Sequence, residues 1–221
     1  MASPVVATTG VANDSFGTTL TLAPPASIAD GDLLEATFFV YQNTGNDPNL
    51  SGWTKKVDVN DAGDLRIVTL YKRASSESGS YVFNLTSPVY WSGIIRRITG
   101  AIASGDPYDV VGSGASGVST SPSASATTTT IDTLVLWYAA PFSSGTTVSP
   151  PAGVSGTMAV NLYVGSKAQA AAGSTGALTG SLSPGSDNWV AVVAAIKSLA
   201  TDFPIIPKAP PDRCSLAHAR M

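Results

Sequence analysis

Apolar and polar positions along this chain alternate in short runs, and the runs are cut by Gly, Pro, Asn and Asp clusters. The alternation is clearest at Tyr81, Phe83 and Leu85, which fall on one face of an extended segment while Val82, Asn84 and Thr86 fall on the other. Read this way, the pattern predicts strands over residues 4–9, 17–22, 31–41, 52–59, 64–74, 79–86, 89–99, 131–140, 156–165 and 188–199. The punctuation falls at turn-forming stretches such as Asn43-Thr44-Gly45-Asn46-Asp47-Pro48, Asp61-Ala62-Gly63-Asp64 and Gly105-Asp106-Pro107. In Leu134-Val135-Leu136-Trp137-Tyr138 and in the run from Trp189 to Ile196 both faces are apolar. Such strands are covered on both sides, by loops of their own chain or by a second subunit.

Two stretches carry no such rhythm. Gly112 to Thr130 is a Gly/Ser/Ala/Thr segment, expected as a long surface loop or as an edge strand in which Thr127 to Thr130 pair. Lys167 to Gly185 is similar, with Ala168 to Ala172 long enough for one helical turn at most. After Ala200 prolines recur every few residues, which excludes helix interiors and central strands. The expectation is an all-β chain: an antiparallel, jelly-roll-like β-sandwich body over residues 1–200 and an extended, proline-rich arm over 201–221.

Composition agrees with this. The 221 residues include 21 Gly and 15 Pro, and Glu35 and Glu77 are the only glutamates, so good surface helix formers are scarce. A hydrophobic content of 43% and a mean hydropathy of +0.18 are enough for a substantial core. Lys and Arg number 12 against 15 Asp and Glu, a net charge of −3, which leaves no basic footprint for nucleic acid. No basic leader and no run of about 18 apolar residues occurs, so a soluble protein made in a reducing cytoplasm, with no membrane partner, is expected. Sequons at Asn13, Asn49 and Asn84 read as chance matches in a Ser/Thr-rich chain.

Chemistry has little to work with. One histidine, His218, and one cysteine, Cys214, leave no His-based triad, no Cys/His zinc site and no internal disulfide, and no cofactor is expected. Gly112-Ser113-Gly114-Ala115-Ser116-Gly117 spells a dinucleotide fingerprint, but no helical pattern follows it, and it reads as a flexible loop. Asp58-Val59-Asn60-Asp61-Ala62-Gly63 begins like a calcium loop, yet Ala62 stands at a donor position and Thr69 where the bidentate Glu belongs; a turn between strands explains it. Asp106 with Asp109, or Asp30, Asp32 and Glu35, could pair as glycosidase carboxylates, but all sit where Asp serves turns and strand starts. Trp53, Trp91, Trp137 and Trp189 lie in apolar strand patterns and are expected in the core, with sugar stacking as the alternative. Of Arg96 and Arg97, which must point to opposite faces, at least one is expected at an edge or in an ion pair.

The order of features from Gly31-Asp32-Leu33-Leu34 through Gly52-Trp53-Thr54, Leu70-Tyr71-Lys72-Arg73-Ala74, Gly79-Ser80-Tyr81-Val82-Phe83, Trp91-Ser92-Gly93-Ile94-Ile95 and Asp106-Pro107-Tyr108-Asp109 to Thr127–Leu136 and the closing Trp189 to Lys197 resembles the β-sandwich modules of tailed-bacteriophage virion proteins. The resemblance spans residues 28–199 and leaves the arm outside. It implies a non-enzymatic structural protein of the virion. The expected role is a capsid decoration or cement protein, dimeric or trimeric, whose partner is the major capsid protein or another virion protein. On that reading the arm fastens the body through Phe203, Ile205, Ile206, Pro207, Pro210, Arg213, Leu216 and Arg220. The alternative is a tail- or fibre-associated module that binds a host glycan.

Overall fold

The computed structural model describes residues 3–10, 13–41 and 45–199. The arm over 201–221, with every attachment residue expected on it, lies outside them. The described residues form strands and connecting segments without a helix, and two large antiparallel sheets pack face to face. The β-sandwich expected from the sequence is therefore present.

The first sheet holds β1 (Val5–Thr9), β2 (Asn13–Leu22), β3 (Leu33–Tyr41), β4 (Thr54–Asn60), β5 (Leu65–Arg73) and β6 (Tyr81–Thr99). Its order is β1-β6-β3-β5-β4, with β2 continuing β1 along the same edge of β6. The second sheet holds β7 (Tyr108–Val111), β8 (Ala115–Ser119), β11 (Thr133–Pro141), β13 (Ser155–Ala159), β14 (Leu162–Gln169) and β18 (Asp187–Ile196), in the order β13-β14-β11-β18-β7, with β8 continuing β7 along β18. Six short strands complete the chain: β9 (Ser123–Ala124), β10 (Thr127–Thr128), β12 (Thr147–Ser149), β15 (Gly173–Ser174), β16 (Leu178–Thr179) and β17 (Ser181–Ser183).

Written side by side, the two orders are the same. In its six long strands the chain over 107–199 repeats the path of the chain over 4–101, with the same register except at β4, which carries a bulge between Lys55 and Val57 that β13 lacks. Leu33 pairs with Ile98 and Val40 with Trp91 in the first sheet; Leu134 pairs with Ile196 and Pro141 with Trp189 in the second. Gly10 donates its N–H to the Ile95 carbonyl at 2.7 Å, and Gly112 donates to Val193 at 2.8 Å. Trp53 N–H reaches the Leu50 carbonyl at 3.1 Å, and Val154 reaches Pro151 at 3.0 Å. Both equivalent glycines are required by close approach. A Cβ on Gly112 would lie 2.5 Å from the Ser125 carbonyl oxygen, and one on Gly10 would strike the corresponding Ala23 carbonyl.

The sheets face each other in the pattern of two copies related by a two-fold axis. β14 lies on β3 as β11 lies on β5, β14 on β6 as β18 on β5, and β13 on β6 as β18 on β4. The likeness to a jelly roll is confined to the packed antiparallel sheets, because the strands do not pass back and forth between layers: each sheet is one half of the chain.

Three apolar layers result. Between the sheets lie Leu33, Phe39, Ile94 and Ile98 with Leu134, Leu136, Ala140, Val190, Val192 and Ile196. Outside the first sheet, Phe38, Val68, Trp91 and Ile95 are covered by Leu20, Leu22, Phe83 and Leu85, where β2 and the leading half of β6 curl over. Outside the second, Val135, Trp137, Ala139 and Val193 are covered by Ala124, Ala126, Val148, Leu178 and Leu182, carried on the short ladders β9–β16 and β12–β17 and the segments beside them. This is why Leu134–Tyr138 and Val190–Ile196 are apolar on both faces: the chain covers them itself. Each fully buried large side chain contributes roughly 1.5–3 kcal/mol of transfer free energy.

Several elements differ from the expected ones. Residues 79–86 and 89–99 are one continuous strand, β6. Residues 156–165 belong to two strands, because the chain reverses at Val160-Asn161, where Asn161 takes φ 55°. The Gly112–Thr130 segment supplies β8 from its Gly/Ser part and a short ladder at Thr127–Thr128, so its dinucleotide-like glycines lie along a sheet edge rather than in a flexible loop. Ala168 lies in β14 and no helical turn follows.

Candidate functional site

Most of the candidate chemistry is absorbed by structure. Asp58, the first residue of the calcium-like loop, takes Arg66 Nε at 2.7 Å and Lys55 Nζ at 2.7 Å, and Asp47 joins the same cluster through Arg66 and Lys55. Burial alone would raise these two carboxyls, but the hydrogen bonds and charges of Arg66 and Lys55 hold both below the usual value of 3.8. Asp61 accepts the N–H groups of Gly63 and Leu65 and so closes the β4–β5 turn. Among the described residues no group of three or more His, Cys, Asp or Glu could hold a metal ion.

A pH prediction follows from Asp47 and Asp58. A carboxyl whose folded value is depressed adds stability above its unfolded value and loses it as pH falls through the folded one. Denaturation midpoints are therefore expected to hold down to about pH 4 and to drop below it. Asp58→Asn is expected to remove part of that slope, and an unchanged slope would show that the cluster contributes nothing.

The acidic pairs considered for glycosidic chemistry are also occupied. Asp30 accepts Ser76 N–H at 2.7 Å, Asp32 pairs with Arg97 at 2.5 Å, Asp106 pairs with Lys56, and Asp109 caps Thr129 and Thr130. Glu35 is fully buried between the sheets, directly opposite Arg96. Its Oε2 accepts from Arg96 Nε at 3.0 Å and from Nη2, and its Oε1 accepts from Tyr108 at 2.8 Å and Tyr138 at 2.5 Å. Burial drives both phenols well above their usual value of 10, with the Glu35 charge adding to it. Burial lowers the Arg96 guanidinium, but the charge and hydrogen bond of Glu35, together with Tyr138 and Tyr108, outweigh it and leave it raised. Both oxygens of Glu35 are taken, so the group is a clamp joining the sheets. Arg96 and Arg97 are thus both ion-paired, on opposite faces.

Three of the four tryptophans are core, and Trp53 is half-buried against it. Trp91 and Trp137 are at most 1% exposed, Trp189 is buried and donates its indole N–H to Ser119 Oγ at 3.0 Å, and Trp53 stands edge-on to Tyr81 and Phe83.

A concave site lies apart from these groups, and the residues expected to hold a partner lie outside the described residues. At the end of the sandwich where β3 and β11 run out, a cavity of about 580 Å³ opens between the sheets. Tyr41, Phe39, Tyr90 and Phe142 give it aromatic walls, and Asp14, Ser15, Ser143, Ser144 and Asn161 ring them with polar groups. Tyr41 and Phe142 are equivalent residues of the two halves, and their rings meet at 5.7 Å, so the approximate two-fold axis passes between them. Tyr90 is 64% exposed and is backed by Phe16, 62% exposed, with ring centroids 4.8 Å apart. The wall is held from behind. Asn161 Nδ2 donates to the carbonyls of Pro141 and Phe142 at 2.9 and 2.6 Å, and Ser92 Oγ donates to the Val160 carbonyl. A second cleft, about 570 Å³, lies between β1 and the β13–β14 hairpin. The signal that marks the first in sequence is large aromatics set in turn-like contexts, Asp14-Ser15-Phe16-Gly17 and Phe142-Ser143-Ser144-Gly145.

Comparison with known protein families, with curated proteins and with solved structures finds no match.

Proposed function

We propose that the chain is a non-enzymatic structural protein of a tailed-phage virion, acting as a capsid decoration protein that attaches through its C-terminal arm. The observation that supports this reading is the self-sufficiency of the body. Both sheets have their inner faces against each other and their outer faces under their own covering strands, so among the described residues no broad apolar sheet face is left to dock on a lattice. On this reading burial against the partner falls to the apolar Phe203, Ile205, Ile206 and Leu216, spaced in the sequence by Pro204, Pro207, Pro210 and Pro211. A proline-stiffened segment loses less conformational entropy on docking than a flexible one. Arg213 and Arg220 add charge for an acidic capsid surface.

Deletion of residues 201–221 tests the attachment. Purified heads lacking the protein are expected to bind the full chain and to lose at least about tenfold in affinity for the truncated one; equal binding would overturn the mechanism. Copy number per particle separates the head from the tail. A count that scales with the capsid lattice supports decoration, and a few copies per particle would move the chain to the tail or a fibre, the adhesion reading.

A further inference from the structure

We infer that the end cleft is a binding site for a neutral saccharide, held between the Tyr90 and Tyr41–Phe142 rings. This deepens the adhesion reading without depending on the arm.

The chemistry of the walls selects the ligand. A sugar ring presents axial C–H groups on one face and hydroxyls around its rim. It is matched by an aromatic surface inside a ring of short polar side chains, and the lining of Tyr41, Tyr90 and Phe142 with Ser15, Ser143, Ser144 and Asn161 is such a surface. The volume lies within the roughly 300–1,000 Å³ of small-ligand sites. Charge narrows the class further. No Lys, Arg or His lies among the described lining residues, so none of them supplies a counter-charge to a phosphorylated, sulfated or uronic ligand. Rigidity is built in, because the Phe142 backbone is held by Asn161 and Tyr90 leans on Phe16. Tyr90 and Phe16 are exposed although the chain buries most of its other large aromatics, three of its four tryptophans included. An aromatic pair kept in water beside a polar-rimmed cavity is the mark of a recognition surface.

The test uses the full chain, with saturation-transfer NMR and calorimetric titration. The probes are maltotriose, cellotriose, the N-acetylglucosamine trimer and galactose as neutral sugars, with glucuronate and N-acetylneuraminate as anionic ones. At least one neutral sugar is expected to bind, and the anionic ones more weakly or not at all. Tyr90→Ala and Phe142→Ala, both at exposed rings, are expected to weaken binding at least about tenfold with thermal unfolding unchanged. Val118→Ala, an exposed apolar position elsewhere on the body, is expected to leave binding as it was. No response to any neutral sugar, a preference for the anionic ones, or wild-type affinity in both aromatic variants would overturn the inference. Each of these results leaves head binding through the arm untouched, since the arm deletion reads that separately.

Discussion

Arg96→Ala is expected to destabilise the protein by about 3–5 kcal/mol, because it strands the Glu35 carboxylate between the sheets with two phenols and no cation. The internal repeat supplies the control. The cross-strand pair Glu35–Arg96 occupies the place that Leu136–Ala194 occupies in the second sheet, so the same scaffold already shows an apolar solution. Glu35→Leu combined with Arg96→Ala is expected to recover most of the loss. The remainder, about 1–3 kcal/mol, belongs to the Tyr108 and Tyr138 hydroxyls left without an acceptor. Adding Tyr108→Phe and Tyr138→Phe is expected to remove most of that remainder. Urea denaturation midpoints of the four proteins decide it. If the double variant is as unstable as the single one, the ion pair is a net stabiliser and not a replaceable clamp.

The second large effect is expected at Trp137. This side chain is fully buried on the outer face of β11, lies 5.6 Å from the Tyr163 ring, and is approached so closely by Gly180 that a Cβ there would come within 2.7 Å of the indole. Trp137→Ala is expected to cost about 3–5 kcal/mol by opening a cavity that the surrounding short ladders cannot collapse into. Trp137→Phe is expected to cost less than half as much. The phenyl ring keeps most of the packing, and the change removes an indole N–H that is buried without a hydrogen-bond partner. Thermal unfolding of both variants measures the difference, and equal losses would mean that the covering layer, not the ring, sets the stability of that face.

The long strands were legible because their signals are physical and local. The alternation at Tyr81–Thr86 and the continuous apolar runs at Leu134–Tyr138 and Val190–Ile196 encode one covered face and two covered faces. The hairpin inside 156–165 was hidden because Met158, Leu162 and Val164 keep a common parity across the turn, leaving only Asn161 to announce it. The ladders of two or three residues are too short to carry any period. The repeat escaped for a different reason: few equivalent positions keep the same residue, Gly10 and Gly112, Leu33 and Leu134, Trp91 and Trp189, Ile98 and Ile196 among them. What is retained is backbone register and burial, which many side chains satisfy. The end cleft left only a faint sequence signal, because Tyr41, Tyr90 and Phe142 come from three distant segments and meet only when β3, β6 and β11 are assembled.

The internal repeat has a consequence for how the molecule behaves at low concentration. Two separate subunits in this arrangement would come apart on dilution, and their folding would depend on how many were present. Joined through residues 102–106, each half meets the other at an effective concentration on the order of millimolar, whatever the bulk concentration. A covalent dimer is also free of the rule that every substitution appears twice. One half carries a charged pair facing the other where that other carries Leu136 and Ala194, and one end of the axis carries Tyr41 against Phe142 rather than a ring against its own copy. An asymmetric pocket on a two-fold axis is something that two identical chains cannot build and that this single chain can.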